Sequence, residues 1–447
     1  MSHQSVDKQS NTDTDKPQSS GAKNPNELSA AIGALTLKTE ALPPIFKLYL
    51  YKDCWEEIFD WLSIDDIHSF GQTCTTLYQV AGEYFRWKYR RVLGRVYNDS
   101  MTIDWKDLNG FNEFTRRLSF YGCEPDLSLN YALDNCKSAK EMEIVNASSS
   151  ELDIKSFESM LSKIDIMEIG NFRLSGEFLE SFLEPCVTLR RLSITVSPGN
   201  GWLRHKYPKL EHLELFECDP SEDNDLKIFF EQNPNVWSFS TTPELLLRNR
   251  DMFMASNIDM DDLSIWRVYD IDLIAVALIE LYQRGFYKRL HIQITSAEHL
   301  AQLPGLDTLN VNTYDYIKMP SLPTVKKLSF QALWNGLNSS MDIDEVSLAL
   351  NNLESVSMEE TSAEYMLPFI QKSAKLKEIK MEYLRDDVDL LAMNSDRKKL
   401  EGARKVTIYF EERDYLKLKW KYGKTDFGLI EIKRKESYDG DPCFEYF

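Results

Sequence analysis

One six-residue pattern recurs along most of this chain: an apolar residue, two variable residues, an apolar residue, one variable residue, an apolar residue. Clear copies start at Leu189 (Leu189, Leu192, Ile194), Leu210 (Leu210, Leu213, Leu215) and Leu306 (Leu306, Leu309, Val311). Three more start at Val325 (Val325, Leu328, Phe330), Leu353 (Leu353, Val356, Met358) and Leu376 (Leu376, Ile379, Met381). Degenerate copies fill the gaps, at Ala139-Met142-Ile144, Ile164-Met167-Ile169, Val236-Phe239, Met260-Leu263-Ile265, Tyr287-Leu290-Ile292 and Ala403-Val406-Ile408. Successive copies are spaced 25 residues (164 to 189), 21 residues (189 to 210) or 23 residues (353 to 376). Self-similarity at this period builds a stack of units rather than one compact core.

The end of each motif alternates apolar and variable residues, which is the two-residue periodicity of a short strand. Between motifs the apolar spacing becomes helical, as in 226–234 and 366–373, and Asn233-Pro234 stops the first of these helices before the next strand. A strand and a helix cannot bury their apolar faces alone, so neighbouring units must stack. Period and pattern together read as leucine-rich repeats. The expected fold is α/β: a curved parallel sheet inside and helices outside, with Leu192, Leu213, Leu309, Leu328 and Ile379 buried.

In such a stack the variable strand positions face the concave side, which is the surface solenoids use for partners. Here they are polar and of both charge signs. Arg191, His212, Phe216, Arg289, His291, Lys327 and Lys380 are the candidate contacts to a protein substrate. Runs of Lys and Arg with stacking aromatics, which a nucleic-acid groove requires, are absent from this face. The formal net charge of −19 likewise argues against a general nucleic-acid binder.

Residues 48–90 form a different kind of segment. Trp55, Ile58, Phe59 and Leu62 fall on one face of a helix. Ser63 to Asp66 resembles a capping box that opens a second helix, and Ile67, Phe70, Cys74, Leu77, Tyr78 and Ala81 continue at helical spacing. Two or three short helices in about 45 residues make too small a core to stand alone. They need a partner or the adjoining repeats, and a cap for the solenoid is one reading.

The same segment resembles an F-box. Leu50, Asp53, Trp55, Ile58-Phe59 and Leu62 follow that pattern, then Asp66-Ile67, Phe70, Thr73-Cys74, Leu77-Tyr78 and an aromatic close at Trp87. Tyr51 stands where the family generally has Pro. With the repeats, the chain resembles the F-box and leucine-rich-repeat family. That resemblance implies a substrate receptor of a ubiquitin ligase: the F-box docks the Skp adaptor, which joins it to a cullin scaffold, and the repeats capture the protein to be ubiquitinated. It implies that Leu50, Trp55, Ile58, Phe59, Leu62, Ile67 and Phe70 supply the adaptor surface or its immediate support. The other reading is an interaction scaffold that recruits no ligase.

The expected organisation is a disordered tail over 1–40, an F-box-like helical domain over 45–92 and a helical linker over 93–123. The solenoid follows over 124–411, and a C-terminal hairpin cap and tail over 412–447. The hairpin expectation comes from Leu416, Leu418, Trp420 and Tyr422, which alternate with lysines in a stretch holding eight basic residues between 413 and 435.

No catalytic or cofactor motif is present: no phosphate-binding Gly-rich loop, no nucleophile elbow and no zinc spacing among the six histidines and seven scattered cysteines. The expectation is a non-catalytic protein without cofactor or metal, with reduced thiols, working in the cytosol or nucleus. No apolar run approaches the length of a membrane span.

Overall fold

The structure is a computed structural model. It describes residues 52–89, 93–99, 102–103, 111–121, 134–145, 154–170, 176–195, 199, 201–216, 225–312, 318–331, 343–384 and 387–435. The tail expected over 1–40, together with Leu50 and Tyr51, lies outside the described residues.

The described residues hold one 16-stranded sheet. Its first strands are β1 (Leu93–Asp99), β2 (Thr102–Ile103), β3 (Arg117–Tyr121), β4 (Glu141–Val145), β5 (Ile166–Gly170), β6 (Arg191–Ile194), β7 (His212–Leu215) and β8 (Ser238–Thr241). Then come β9 (Met260–Val268), β10 (Tyr287–Ile294), β11 (Leu306–Asn312), β12 (Lys327–Gln331), β13 (Ser355–Thr361), β14 (Glu378–Leu384), β15 (Val406–Phe410) and β16 (Ile430–Arg434). From β3 to β16 every strand pairs parallel with its successor in sequence. At the other edge β1 pairs parallel with β3 and antiparallel with β2. A parallel ladder in strict chain order, with helices between strands, is a leucine-rich-repeat solenoid.

The register explains the sequence period. Arg117, Glu141, Ile166, Arg191, His212, Ser238, Asp262 and Arg289 are aligned neighbour to neighbour, in steps of 21 to 27 residues. The middle residue of each motif points into the stack. Leu192, Leu213, Leu309 and Ile379 are 0% exposed and Leu328 is 2% exposed.

The repeating unit also begins earlier than the six-residue motif. In nine repeats the first apolar residue donates its N–H to the carbonyl three residues before it: Ala139 to Cys136, Ile164 to Leu161, Leu189 to Cys186, Leu210 to Tyr207, Val236 to Asn233, Val325 to Leu322, Leu353 to Leu350, Leu376 to Ser373 and Ala403 to Leu400. This turn carries the chain from the outer layer into the strand. In one repeat the side chain at its first position also satisfies main chain: buried Asn233 accepts from the N–H of Tyr207 at 2.6 Å and donates to the carbonyls of His205 and Phe229.

The outer layer is helical. The N-terminal module comprises α1 (Lys52–Phe59), α2 (Ile64–Gly71) and α3 (Thr75–Lys88). The repeat helices are α4 (Ile154–Leu161), α5 (Gly176–Leu183), α6 (Asp225–Gln232), α7 (Pro243–Arg248), α8 (Arg250–Ala255), α9 (Asp272–Arg284), α10 (Ile343–Ala349), α11 (Ala363–Lys372), α12 (Leu390–Lys399) and α13 (Glu412–Tyr422). A short 3-10 turn, Gly201–Arg204, replaces the helix between β6 and β7 and accounts for the 21-residue step there.

Three expectations need correction. The stretch 93–123 is not a helical linker: it carries β1, β2 and β3, so the sheet begins at 93. The solenoid does not stop at 411, and 412–434 is no hairpin: α13 and the parallel strand β16 form one more repeat. Alternation of Leu416, Leu418, Trp420 and Tyr422 with lysines imitates a strand, but Tyr415, Leu418 and Tyr422 have helical spacing and form the packed side of α13, with Tyr415 and Leu418 buried and Tyr422 partly so. Finally, the helical spacing over 67–81 is broken at Gln72–Cys74, where α2 ends and α3 begins.

The N-terminal module completes its core with residues from the edge of the sheet. Ser63 caps α2, its Oγ accepting from the N–H of Asp66 at 3.2 Å. Trp55, Phe59, Ile67, Tyr84 and Phe85 are buried together with Phe111 and Phe114, which immediately precede β3. Phe85 stacks on Phe111 with centroids 4.9 Å apart, and Gly82 lies so close to Phe114 that a methyl group would overlap the ring.

The opposite side of the module rests on the last repeat. Tyr89 donates its hydroxyl to Glu412 at 2.5 Å, and Arg434 bonds to Tyr89, to Glu412 at 3.0 Å, and to the carbonyls of Asp60 (3.2 Å) and Leu62 (3.1 Å). Trp61 meets Trp420 edge-to-face at 5.2 Å, with the ammonium of Lys419 4.5 Å from the centre of the Trp61 ring. The three helices therefore touch both the first and the last repeats of the sheet.

Candidate protein-binding surfaces

Alternation on each strand sends one set of side chains into the stack and the other onto the concave face. On the concave face the strands from β4 to β12 floor a cleft of about 480 Å³. Arg191, His212, Arg289, His291 and Lys327 line it, so five of the seven expected contacts meet in one place. Phe216 and Lys380 are not among its lining residues.

The five differ in how far they are available. Arg289 grips Asp262 with both ends of its fork, Nε to Oδ1 at 2.7 Å and Nη2 to Oδ2 at 2.8 Å, and its side chain remains 51% exposed. His291 places Nε2 3.0 Å from the same Asp262 Oδ1. Burial alone would raise the Asp262 carboxyl, but bonds and charge from His291 and Arg289 hold it below the usual range. His212 is half-buried with its ring 4.3 Å from that of Trp237, and burial, aided by Arg191, lowers its pKa. Lys327 is exposed.

Arg191 and Phe216 correct the expectation that every variable strand position faces solvent. Arg191 is 3% exposed and donates to Glu214 at 2.8 Å. Phe216 is 5% exposed and packs edge-on against Trp266 at 5.8 Å. Lys380 is partly covered, its Nζ 3.8 Å from Glu378. At Arg191 and Phe216 the neighbouring Glu214 and Trp266 turn the position into structure.

Beside Arg191 lies a charged layer that sequence reasoning missed. Glu143, Glu168, Ser193 and Glu214 are aligned on consecutive strands β4 to β7, and Arg117 reaches Glu168 at 3.5 Å. Burial raises the Glu168 carboxyl to about 7, with Arg191 and Arg117 pulling against it and Glu143 and Glu214 reinforcing it.

Around the cleft runs an ordered rim. In five places the residue after the first apolar position of one repeat pairs with its counterpart on the neighbouring repeat: Lys140 with Asp165 (3.9 Å), Arg190 with Glu211 (2.7 Å), Lys288 with Asp261 (2.7 Å), Lys326 with Asp307 (2.8 Å) and Lys377 with Glu354 (2.5 Å). Each exposed pair contributes at most about 1 kcal/mol. The alternating signs were visible in the sequence as one fixed position of the repeat.

The second surface is the N-terminal module. Phe59 and Ile67 are 0% exposed and Trp55 is 7% exposed, so these three support the fold. Phe70, half-buried, packs on Trp55 and Phe59. Leu62 is half-buried where the module meets the last repeat, while Ile58 remains 39% exposed on the outer side of α1. Trp87, on α3, is 53% exposed. Leu50 lies outside the described residues.

Among the described residues, no group of three or more His, Cys, Asp or Glu is arranged to hold a metal ion, and no helix is long and apolar enough to cross a membrane. Cys54, Cys74, Cys136 and Cys186 are free thiols, the last two buried.

The fold and its charged concave cleft define a leucine-rich-repeat protein-interaction scaffold. No family model matches the chain. No curated protein matches it either. Among solved structures it is similar to a leucine-rich-repeat protein of Leptospira interrogans, at 13% sequence identity over 75% of this chain and 82% of that one, with a TM-score of 0.21.

Proposed function

We propose that this chain is the substrate-recognition subunit of a Skp–cullin–F-box ubiquitin ligase, acting in the cytosol or nucleus. In this reading the N-terminal helices dock the Skp adaptor and the concave cleft captures the protein to be modified. Ubiquitin transfer is the work of other subunits, so the chain itself carries no catalytic residue. The observation that carries the reading is the division of labour on α1. Trp55 and Phe59 anchor the helix in its core, while Ile58 between them is left outside, where an apolar partner could cover it. The substrate is a protein with charges of both signs, matched to Arg289, His291, Lys327 and the acidic residues among them. The test is co-purification of the adaptor and a cullin with the full chain and with Ile58→Asp. Ile58 is exposed, so its replacement spares the fold. Retention of the adaptor is expected with the parent chain and its loss with the variant; equal capture by both, or by neither, sinks the reading.

A second reading is supported by one specific observation. Tyr89, Asp60 and Leu62 bind the last repeat through Glu412 and Arg434. Helices used in this way can be a cap that recruits no ligase, leaving a scaffold whose only partner occupies the cleft. Absence of adaptor and cullin from the purified complex, with cleft-dependent capture of another protein, favours this alternative.

A further inference from the structure

The outer face of α13 is basic and carries an exposed tryptophan. Arg413, Lys417, Trp420 and Lys421 are all exposed and follow one another at about one turn, and Lys424 follows just beyond the helix end. Trp420 is 67% exposed although its ring touches Trp61. Lys417 keeps 59% of its side chain in solvent while reaching Asp387, and Lys424 keeps 79% while reaching Glu57. Such a face is unusual in a chain of net charge −19.

The sequence that follows β16 has the opposite character. Residues 436–447, which lie outside the described residues, contain Glu436, Asp439, Asp441 and Glu445 with no basic residue, interleaved with Tyr438, Phe444, Tyr446 and Phe447. We propose that residues 436–447 dock along the outer face of α13, their carboxylates on Arg413, Lys417, Lys421 and Lys424 and an aromatic side chain on Trp420.

Connectivity favours this occupant. The chain leaves β16 beside the first turn of α13: the N–H of Lys435 donates to the carbonyl of Phe410 at 2.6 Å, and its ammonium lies 3.5 Å from Glu411. From Arg413 to Lys421 the helix rises about 12 Å, while twelve extended residues reach roughly 40 Å. The segment therefore spans the whole face, and being tethered at its near end raises its effective concentration there far above that of a free ligand. Complementary charge and apolar ring contact supply the attraction. The contact stands independently of any ligase adaptor.

Zero-length carbodiimide cross-linking of the full chain, followed by isolation of the monomer and mass spectrometry, tests it. The expected products join Asp439, Asp441 or Glu445 to Lys417, Lys421 or Lys424 within one chain. Reversing the segment (Asp439→Lys, Asp441→Lys, Glu445→Lys) should reduce these products at least fivefold. Adding Arg413→Glu, Lys417→Glu and Lys421→Glu should restore cross-linking with the polarity exchanged, which a merely misfolded variant could not do. Products found only between two chains identify a second copy as the occupant and overturn the proposal. So do products on Lys327, Lys380 or Lys433 of the concave face, or products that survive charge reversal, or the absence of any product from this segment.

Discussion

Arg434, the last residue of the last strand, donates to the main-chain carbonyl of Leu62 at 3.1 Å across 372 positions of sequence. The same guanidinium serves Asp60, Tyr89 and Glu412. Three short helices with too little core of their own are thereby fixed to the far end of the sheet, as Phe111 and Phe114 fix them to its beginning. Replacing Arg434 by Met should take a donor from two carbonyls and the buried cation from the Glu412 carboxylate, which keeps its bond from Tyr89, at a cost of about 2–4 kcal/mol. Urea unfolding measures it. A change below about 0.5 kcal/mol would show that the junction holds nothing in place.

Gly82 offers a test at the other end of the module. A methyl group there would overlap the Phe114 ring, and α3 cannot retreat without parting Phe85 from Phe111. Gly82→Ala should destabilise by about 1–3 kcal/mol, although Ala is the better helix former. A neutral or stabilising effect in thermal melting would show that Phe114 yields freely.

Buried Arg397 joins two repeats through carbonyls alone: Ile370 (3.0 Å), Ser373 (2.8 Å), Ala374 (3.1 Å), Leu376 (3.2 Å) and Arg404 (3.1 Å). Burial lowers its pKa to about 10, so it stays charged at neutral pH. Arg397→Met should cost about 3–5 kcal/mol. Lys should rescue little, because an ammonium cannot reproduce the planar fork. A fully stable Lys variant would mean that charge alone suffices.

Glu168 predicts a pH dependence. Its folded pKa of about 7 exceeds the ordinary glutamate value of 4.5, so the folded state holds the proton more tightly. The stability this group contributes is full below about pH 4.5 and is lost as pH rises towards 7, by an amount on the order of 3 kcal/mol at most. Glu168→Gln should flatten that decline. Chemical denaturation at pH 5, 6 and 8 compares the two chains. Parallel curves would refute the shift.

Arg191 and Arg289 should separate folding from recognition. Arg191→Ala breaks a buried ion pair with Glu214 and should cost about 3–5 kcal/mol. Arg289→Ala loses a half-exposed pair and should change stability by less than about 1 kcal/mol. Its effect should instead appear in the association rate and salt dependence of partner capture by the cleft. Equal destabilisation by both would place Arg289 in the fold alone.

Much of the solenoid was legible because burial enforces a pattern: Leu192, Leu213 and Ile379 must be apolar in every unit that stacks. The last repeat was misread because alternation of lysine with Leu416, Leu418 and Trp420 fits a strand while Tyr415, Leu418 and Tyr422 fit a helix, and only packing chooses between them. The first strands were missed because 93–123 lacks a clear motif copy. In the candidate site, position in the repeat found Arg289 and His291 correctly on the concave face. It could not separate them from Arg191 and Phe216, because exposure there depends on which neighbouring strands bring Glu214 or Trp266 alongside. The rim pairs were overlooked for the opposite reason: their signal was in the sequence, at a single repeat position, but emerges only when repeats are compared in register.

The junction of Arg434 with Leu62 also sets a timetable. During synthesis at about 5–20 residues per second, α1 exists for roughly 20 to 75 seconds before its counterpart in β16 has been made. Through that interval Asp60, Trp61 and Leu62 have no last repeat to lean on. The nascent helices are then at their most exposed to chaperones, proteases or an early-binding partner, and the final strand is the event that ends this window.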